Sequence, residues 1–254
     1  MSEQELLQTI AINTKPKSGF GITLSGKTTR LSTSFSPELI FEGNWGVALQ
    51  NLSTYNSIAN INSSNNKFKY YNGTAWKTIT VGTGSYEISE LSDEITRLMK
   101  LNKDYDTVND SPYLYFKPNY SRLTTELYLE NNYKVDFNIP NSIGQILGYS
   151  KTIVDKSYNE STNPINIINV NSILVHCDLV QSSYYNGKPS NIIYSFPINT
   201  APGFRMISEP LVQRFHRVLV DKVGTMDVWL TDDNLKPLDL RKELLTINLW
   251  FQEL

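Results

Sequence analysis

The chain has 254 residues, 40% of them apolar, with 23 basic and 25 acidic side chains for a formal net charge of −2. That is enough apolar material for one large β domain or two small ones, while the charge balance gives no overall positive field of the kind that sequence-independent nucleic-acid binding relies on. A single cysteine, Cys177, excludes an internal disulfide, and neither an export leader nor an apolar run long enough to span a bilayer is expected.

Residues 1–37 are polar and broken by Lys15-Pro16-Lys17-Ser18-Gly19. They are expected to form a partly flexible N-terminal arm, with a short strand at 29–35 and a domain beginning at residue 38. The first firm strand is predicted at 45–52, where Trp45, Val47 and Leu49 alternate with Gly46, Ala48 and Gln50. A polar loop at 60–66 leads to a hairpin of 68–71 and 76–81, whose Asn72-Gly73 suits a type I′ turn. Ile88, Leu91, Ile95, Leu98 and Met99 then recur at helical spacing. This predicts one helix at about 89–101, with Ser89 as cap and Glu90, Asp93 and Glu94 in the first turn, where the helix dipole favours negative charge. Short strands are predicted at 113–116, 124–130 and 133–137, a helical turn at 142–147, and a long surface loop at 150–164.

From Ile165 onward the pattern is strand after strand, at 173–180, 191–196, 218–223, 226–231 and 244–251. Ile173, Val175, Cys177 and Leu179 oppose His176 and Asp178, and Leu245, Ile247, Leu249 and Phe251 oppose Thr246 and Asn248; a period of two sends one row into a core. Cys177 falls on the inward row and reads as a small buried apolar residue. Asn186-Gly187 suits a tight hairpin, and Asp232-Asp233-Asn234 a loop closure. The residues therefore predict a mostly β, antiparallel sandwich or barrel, with function in its surfaces and its assembly.

The chemistry-bearing motifs are few. Gly21-Ile22-Thr23-Leu24-Ser25-Gly26-Lys27-Thr28 satisfies the phosphate-loop pattern, with Val218-Leu219-Val220-Asp221 as a nominal magnesium-holding partner, so a nucleotide-binding protein is one reading. That loop needs a buried strand before it and a helix after it, and the flanking residues promise neither, so a glycine-punctuated loop leading into a strand is expected instead. His176 and Cys177 are neighbours on a strand and face opposite ways, and His216 is the only other histidine. No catalytic residue, cofactor or metal site is expected. Fifteen Tyr, ten Phe and four Trp belong by default to the core. Tyr184 and Tyr185 are the exception, because successive aromatics beside a hairpin turn leave one ring outward, suited to an interface or to sugar and receptor contacts.

Several stretches carry a family likeness: Trp45-Gly46-Val47-Ala48-Leu49, Gly84-Ser85-Tyr86-Glu87, Asn141-Ser142-Ile143-Gly144-Gln145-Ile146-Leu147-Gly148-Tyr149 and Ser183-Tyr184-Tyr185-Asn186-Gly187. Ala201-Pro202-Gly203-Phe204, Glu209-Pro210 and Leu238-Asp239-Leu240-Arg241-Lys242-Glu243 extend it. In this order they resemble the minor capsid, or penton, proteins of Polinton (Maverick) elements, adintoviruses and virophages. The resemblance implies a single jelly-roll β-sandwich over residues 38–254 with an elaboration at about 60–150 that carries the helix. It also implies a homopentamer at an icosahedral vertex of the virion capsid of a double-stranded DNA virus or virus-like transposon, in contact with the major capsid protein of the same virus or element. It carries over no catalytic residue. The alternative is a carbohydrate- or receptor-binding sandwich.

Overall fold

The computed structural model describes residues 18–130, 132–167, 170–181 and 183–254. The chain divides into two compact units, one made of residues 1–56 and 170–254, the other of 57–169. The strands, in chain order, are β1 Gly19–Gly26, β2 Arg30–Ile40, β3 Trp45–Tyr55, β4 Lys67–Asn72, β5 Trp76–Thr80, β6 Leu114–Asn119, β7 Thr124–Leu129, β8 Tyr133–Asp136 and β9 Ile153–Val154. They continue as β10 Tyr158–Glu160, β11 Ser172–Cys177, β12 Ser183–Tyr185, β13 Lys188–Ser190, β14 Ile192–Pro197, β15 Arg205–Ser208, β16 His216–Arg217, β17 Lys222–Thr231 and β18 Leu245–Glu253. Among the described residues one α-helix, α1, spans Ile88–Leu101.

The first unit is a jelly roll. One sheet runs β1-β18-β3-β15, with β16 also on β3, and the other runs β14-β11-β17-β2; the strand pairs are antiparallel. If β15 and β16 are taken as one interrupted strand, the sheets order the strands first-eighth-third-sixth and second-seventh-fourth-fifth, the double Greek key of a jelly roll. The core is the inward row of each strand. Leu245, Ile247, Leu249 and Phe251 of β18 are fully buried between Leu24 of β1 and Val47, Leu49 and Leu52 of β3; Ile173, Val175 and Cys177 face in beside Met226, Val228 and Leu230 of the other sheet. Phe251 stacks on Phe20 at 5.2 Å and on Phe41 at 5.6 Å, and Trp45 packs against both Phe20 and Phe41. The outward row of β18 carries Thr246 and Asn248, whose side chains bond Ser25, Thr23 and Asn51 across the strands.

The connections gather at two ends. Thr29 Oγ1 donates to Leu238 O, Asn56 Nδ2 to Thr200 O and Asn171 Nδ2 to Asp233 Oδ2, at one end. Phe41 N–H donates to Asp221 O, Val218 N–H to Trp45 O and Leu219 N–H to Leu179 O, at the other.

The second unit lies in the connection between β3 and β11. It contains a sheet β5-β4-β8-β9 and a sheet β10-β7-β6. Ile88, Leu91, Ile95 and Met99 of α1 are buried in a core with Phe68, Tyr70, Phe116, Leu127 and Phe137. Ser92 Oγ accepts from Phe116 N–H at 3.0 Å and so satisfies part of the free edge of β6. The buried carboxylate of Asp104 accepts from Tyr70 Oη at 2.6 Å, Lys77 Nζ at 2.7 Å and Asn72 Nδ2 at 2.9 Å. Burial works against its charged form, yet these three donors hold it below the usual carboxylate range.

Several expectations are corrected. In the arm expected to be partly flexible, the strand expected at 29–35 is the start of β2, which runs on to Ile40, and Gly19–Gly26 form β1, because β18 supplies β1 with a partner that no local pattern reveals; the rest of that arm, 1–17, lies outside the described residues. The elaboration is a unit reaching residue 169 rather than about 150. The 150–164 segment holds β9 and β10, two short edge strands recruited by β8 and β7. Residues 218–221 do not form a strand; between β16 and β17 they bond to Trp45, Leu179 and Phe41 instead. The cap of α1 is Glu87, not Ser89, because Glu87 and Glu90 satisfy each other's backbone amides in a capping box. At Asn72-Gly73 only Gly73 has positive φ, +87°, and the two-residue loop is Gly73-Thr74, with Asn72 Oδ1 accepting from Thr74 and Ala75 N–H. Asn186 and Gly187 both have positive φ, as a type I′ turn requires.

Truncating Phe251 to Ala removes a fully buried ring that stacks on two aromatic neighbours, Phe20 and Phe41. The expected cost is about 3–5 kcal/mol of unfolding free energy in a denaturant titration, and a loss under about 1 kcal/mol would contradict the core described above.

Candidate assembly surfaces

A two-sheet sandwich leaves two lateral flanks, each with strand edges that nothing in the subunit pairs. The strand orders put β1 and β2 at edges along one flank and β14 with β15 and β16 along the other. His216 Nε2 donates to Ile193 O at 3.1 Å and ties β16 to β14 across the second flank.

That second flank is open, and it mixes exposed apolar side chains with polar ones. A groove of about 750 Å³ is lined by Ile193, Phe196, Ile207, Leu211, Val212 and Arg214, among others. Leu211 has no cover at all, at 104% exposure, and Ile207 and Val212 are also exposed. Arg214 and Glu209 both line it, and Arg205 and Arg217, exposed on β15 and β16, make the 204–217 segment net basic, with Glu209 its only carboxylate. Toward the Asp221 end of the sandwich, the close of β2 makes a second exposed apolar patch of Ile40, Leu219 and Val220. Here the charges are Glu38, Glu42 and Asp221 against Lys222, all exposed. Among the described residues, none of these charged side chains on either patch has an ion-pair partner.

The two tyrosines singled out from the sequence sit on the β12–β13 hairpin. Tyr184 is 74% exposed. Tyr185 turns back, and its hydroxyl donates to Asp233 O at 2.6 Å. On the outward face of the β14-β11-β17-β2 sheet, the His176 ring stacks on Trp229 at 5.0 Å, with Nδ1 2.9 Å from Asn191 Oδ1 and Nε2 2.9 Å from Thr231 Oγ1. Arg30 lies over the other ring system of that cluster, Trp229, and pairs with Asp227. Cys177 faces the core, where burial pushes its thiol up to about 12, so it is no nucleophile.

A further aromatic surface was not legible beforehand. Tyr115, Tyr128 and Tyr158 line up across β6, β7 and β10 in the second unit, with Tyr115 and Tyr128 stacked at 4.8 Å. Tyr115 and Tyr128 were visible in predicted strands, but β10, which brings Tyr158 beside them, was hidden in a polar loop.

The phosphate-loop match is dissolved by the structure. Gly21 to Gly26 belong to β1, paired in register with β18, and β2 follows where a helix would be needed. This also corrects the expected loop: the glycines sit in a strand because the Trp250 indole crosses it. A Cβ on Gly19 would stand 2.8 Å from Phe251 O and 3.0 Å from the indole, and on Gly21 it would touch the same ring. Asp221 lies at the opposite end of the sandwich from Lys27, so the nominal magnesium partner is not brought near it. Among the described residues no group of three His, Cys, Asp or Glu side chains is placed to hold a metal ion, and no helix is long and apolar enough to cross a membrane.

No family model and no curated protein matches the sequence. Among solved structures the chain is similar to the mavirus penton protein, with a TM-score of 0.50 over 93% of this chain and 100% of that one, at 9% identity. At that identity the likeness is one of fold.

Two outcomes follow from the geometry. Burial is the leading cause that pushes His176 and His216 below the ordinary imidazole range, so each is neutral in the fold while the unfolded chain binds protons as pH falls. Their effect is absent above that range and destabilising below it. The melting temperature should therefore drop between about pH 7.5 and 5.5, and His176→Gln should flatten that drop; equal slopes for both proteins would contradict it. Magnesium-nucleotide should leave the melting temperature unchanged, whereas a saturable rise would restore a nucleotide site.

Proposed function

We propose that this chain is a minor capsid (penton) protein, five copies of which close the vertex of an icosahedral capsid of a double-stranded DNA virus or a virus-like transposon. The single observation that carries the reading is the eight-strand jelly roll, similar over nearly the whole chain to a protein described as the mavirus penton protein. The motif resemblance to the Polinton, adintovirus and virophage pentons points the same way. The role is structural and not catalytic. The partners are further copies of the chain and the major capsid protein of the same virus or element, and the place of action is the virion.

The surfaces support a self-associating protein. A closed ring of identical subunits with cyclic symmetry uses heterologous contacts, in which one face of a subunit meets a different face of the next. The exposed groove on the net-basic 204–217 segment and the carboxylate-bearing patch at the close of β2 are two such unlike faces.

A carbohydrate- or receptor-binding reading has one observation in its favour: Tyr184 projects from its hairpin with its ring in solvent, available for stacking on a sugar or a protein. Glycan-array binding that disappears on Tyr184→Ala would support it, and a blank array would remove it.

Size-exclusion chromatography with light scattering tests the main reading. The expected mass is five times that of the chain, and a monomer at every concentration tried would overturn it.

A further inference from the structure

Resting on the pentameric reading, we infer that the ring is closed by the groove flank of one copy receiving the close of β2 of the next, an apolar contact steered by arginine–carboxylate pairs. On the receiving side are Leu211 and Val212 with Arg214 of the groove and Arg217 of β16 beside it; on the entering side are Ile40 and Val220 with Glu38 and Glu42.

Three observations converge on this pairing. The first is exposure: Leu211 and Val212 on one side and Ile40, at 62%, on the other are large apolar side chains left in water at two separate places on the same unit. Scattered single apolar residues are ordinary on a surface, but a groove lined by several is the usual mark of an interaction site. The second is charge. The arginine-rich and the carboxylate-rich patches are opposite in sign, and none of Glu38, Glu42, Arg214 and Arg217 has an ion-pair partner among the described residues. Complementary potentials steer encounter and fix register, and like charges brought together are strongly penalised. A two-fold contact of the groove with itself would set Arg214 and Arg217 against their own copies, so the pattern favours the heterologous arrangement that closes a ring.

The third is placement. β16 pairs with β3 at Gly46 and Val47, and β2 runs through Phe41 to Asn44 straight into β3 at Trp45. Arg217 and the Glu38–Glu42 stretch therefore lie at the same end of the sandwich, on different flanks. Subunits related by a rotation keep equal heights along its axis, so with that axis running along the strands Arg217 and the Glu38–Glu42 stretch of neighbouring copies can meet. The β2 edge also departs from a regular ladder here: the register jumps between Val223 and Thr225 of β17, opposite Ser34 to Leu39 of β2, and Pro37 lies within that stretch. Such a bulge breaks simple edge-to-edge pairing of strands, leaving recognition to side chains.

Charge exchange tests the pairing. Arg214→Glu with Arg217→Glu, and separately Glu38→Lys with Glu42→Lys, should each weaken ring formation roughly tenfold or more at low salt. The chain carrying all four changes should recover it, since the complementarity is restored with its sign exchanged. All four positions are exposed, and unchanged thermal melts would verify that folding is intact. If wild type forms rings and both double variants do so equally well, the assigned surfaces are wrong while the penton reading stands. Loss in both doubles without recovery in the quadruple variant would mean that these charges meet a different partner, such as the major capsid protein, and would equally overturn the pairing. A wild-type monomer at all concentrations would remove the pentameric reading and this inference with it.

Discussion

Everything in the jelly-roll unit depends on β18 lying in the interior of its sheet, hydrogen-bonded to β1 on one side and β3 on the other. Its inward row of Leu245, Ile247, Leu249 and Phe251 is fully buried, and at about 25 cal/mol per Å² of apolar surface such a row outweighs any single surface interaction. Because its partners precede it by some two hundred residues, the sandwich closes only through pairings of very high sequence separation, which fold slowly compared with local ones. The same placement decides which strands are left at the edges. With β18 inside, β1 and β2 become one flank and β14 to β16 the other, and it is at the flanks that unpaired backbone and exposed apolar side chains accumulate.

Much of this was legible in the sequence, for a physical reason. Strands with one buried face must alternate, so β18 announced itself, as did β11 by its inward row although it is buried on both faces, and Asn186-Gly187 announced the hairpin that follows β11 by its need for positive φ. What stayed hidden is what only a partner strand defines. β1 has weak alternation and two glycines that serve the Trp250 indole across the ladder; without β18 in view it reads as a glycine-punctuated loop in a partly flexible arm. In β3 the phase of the alternation slips where Gln50 bulges out between Leu49 and Asn51, opposite Asn248 and Leu249, and no local rule locates such a slip. β9 and β10 are two and three residues long and polar, held by β8 and β7 rather than by their own propensity. The Glu87–Glu90 capping box uses a carboxylate where Ser89 offered a more familiar cap.

The candidate surface was only partly visible from the residues. An outward tyrosine beside the hairpin turn could be anticipated, and Tyr184 is that residue. The groove flank could not, because β15 and β16 are short and the segment between them, with Leu211 and Val212, has no periodicity at all. Its character arises from what the topology leaves uncovered. Apolar side chains in such a segment would ordinarily be drawn into the core; here they remain in water beside Glu209 and Arg214, which have no ion-pair partner among the described residues. The second unit, inserted between the third and fourth strands of the sandwich, builds its own core around α1 and can vary without disturbing β18.

The claim that this sandwich exists to join copies of itself is tested most directly by imaging. Electron micrographs of the purified full-length protein should contain five-fold rings, into which the jelly roll fits with the β14–β16 flank of one subunit against the close of β2 in the next. A field of single particles, or of two-fold dimers, would contradict it.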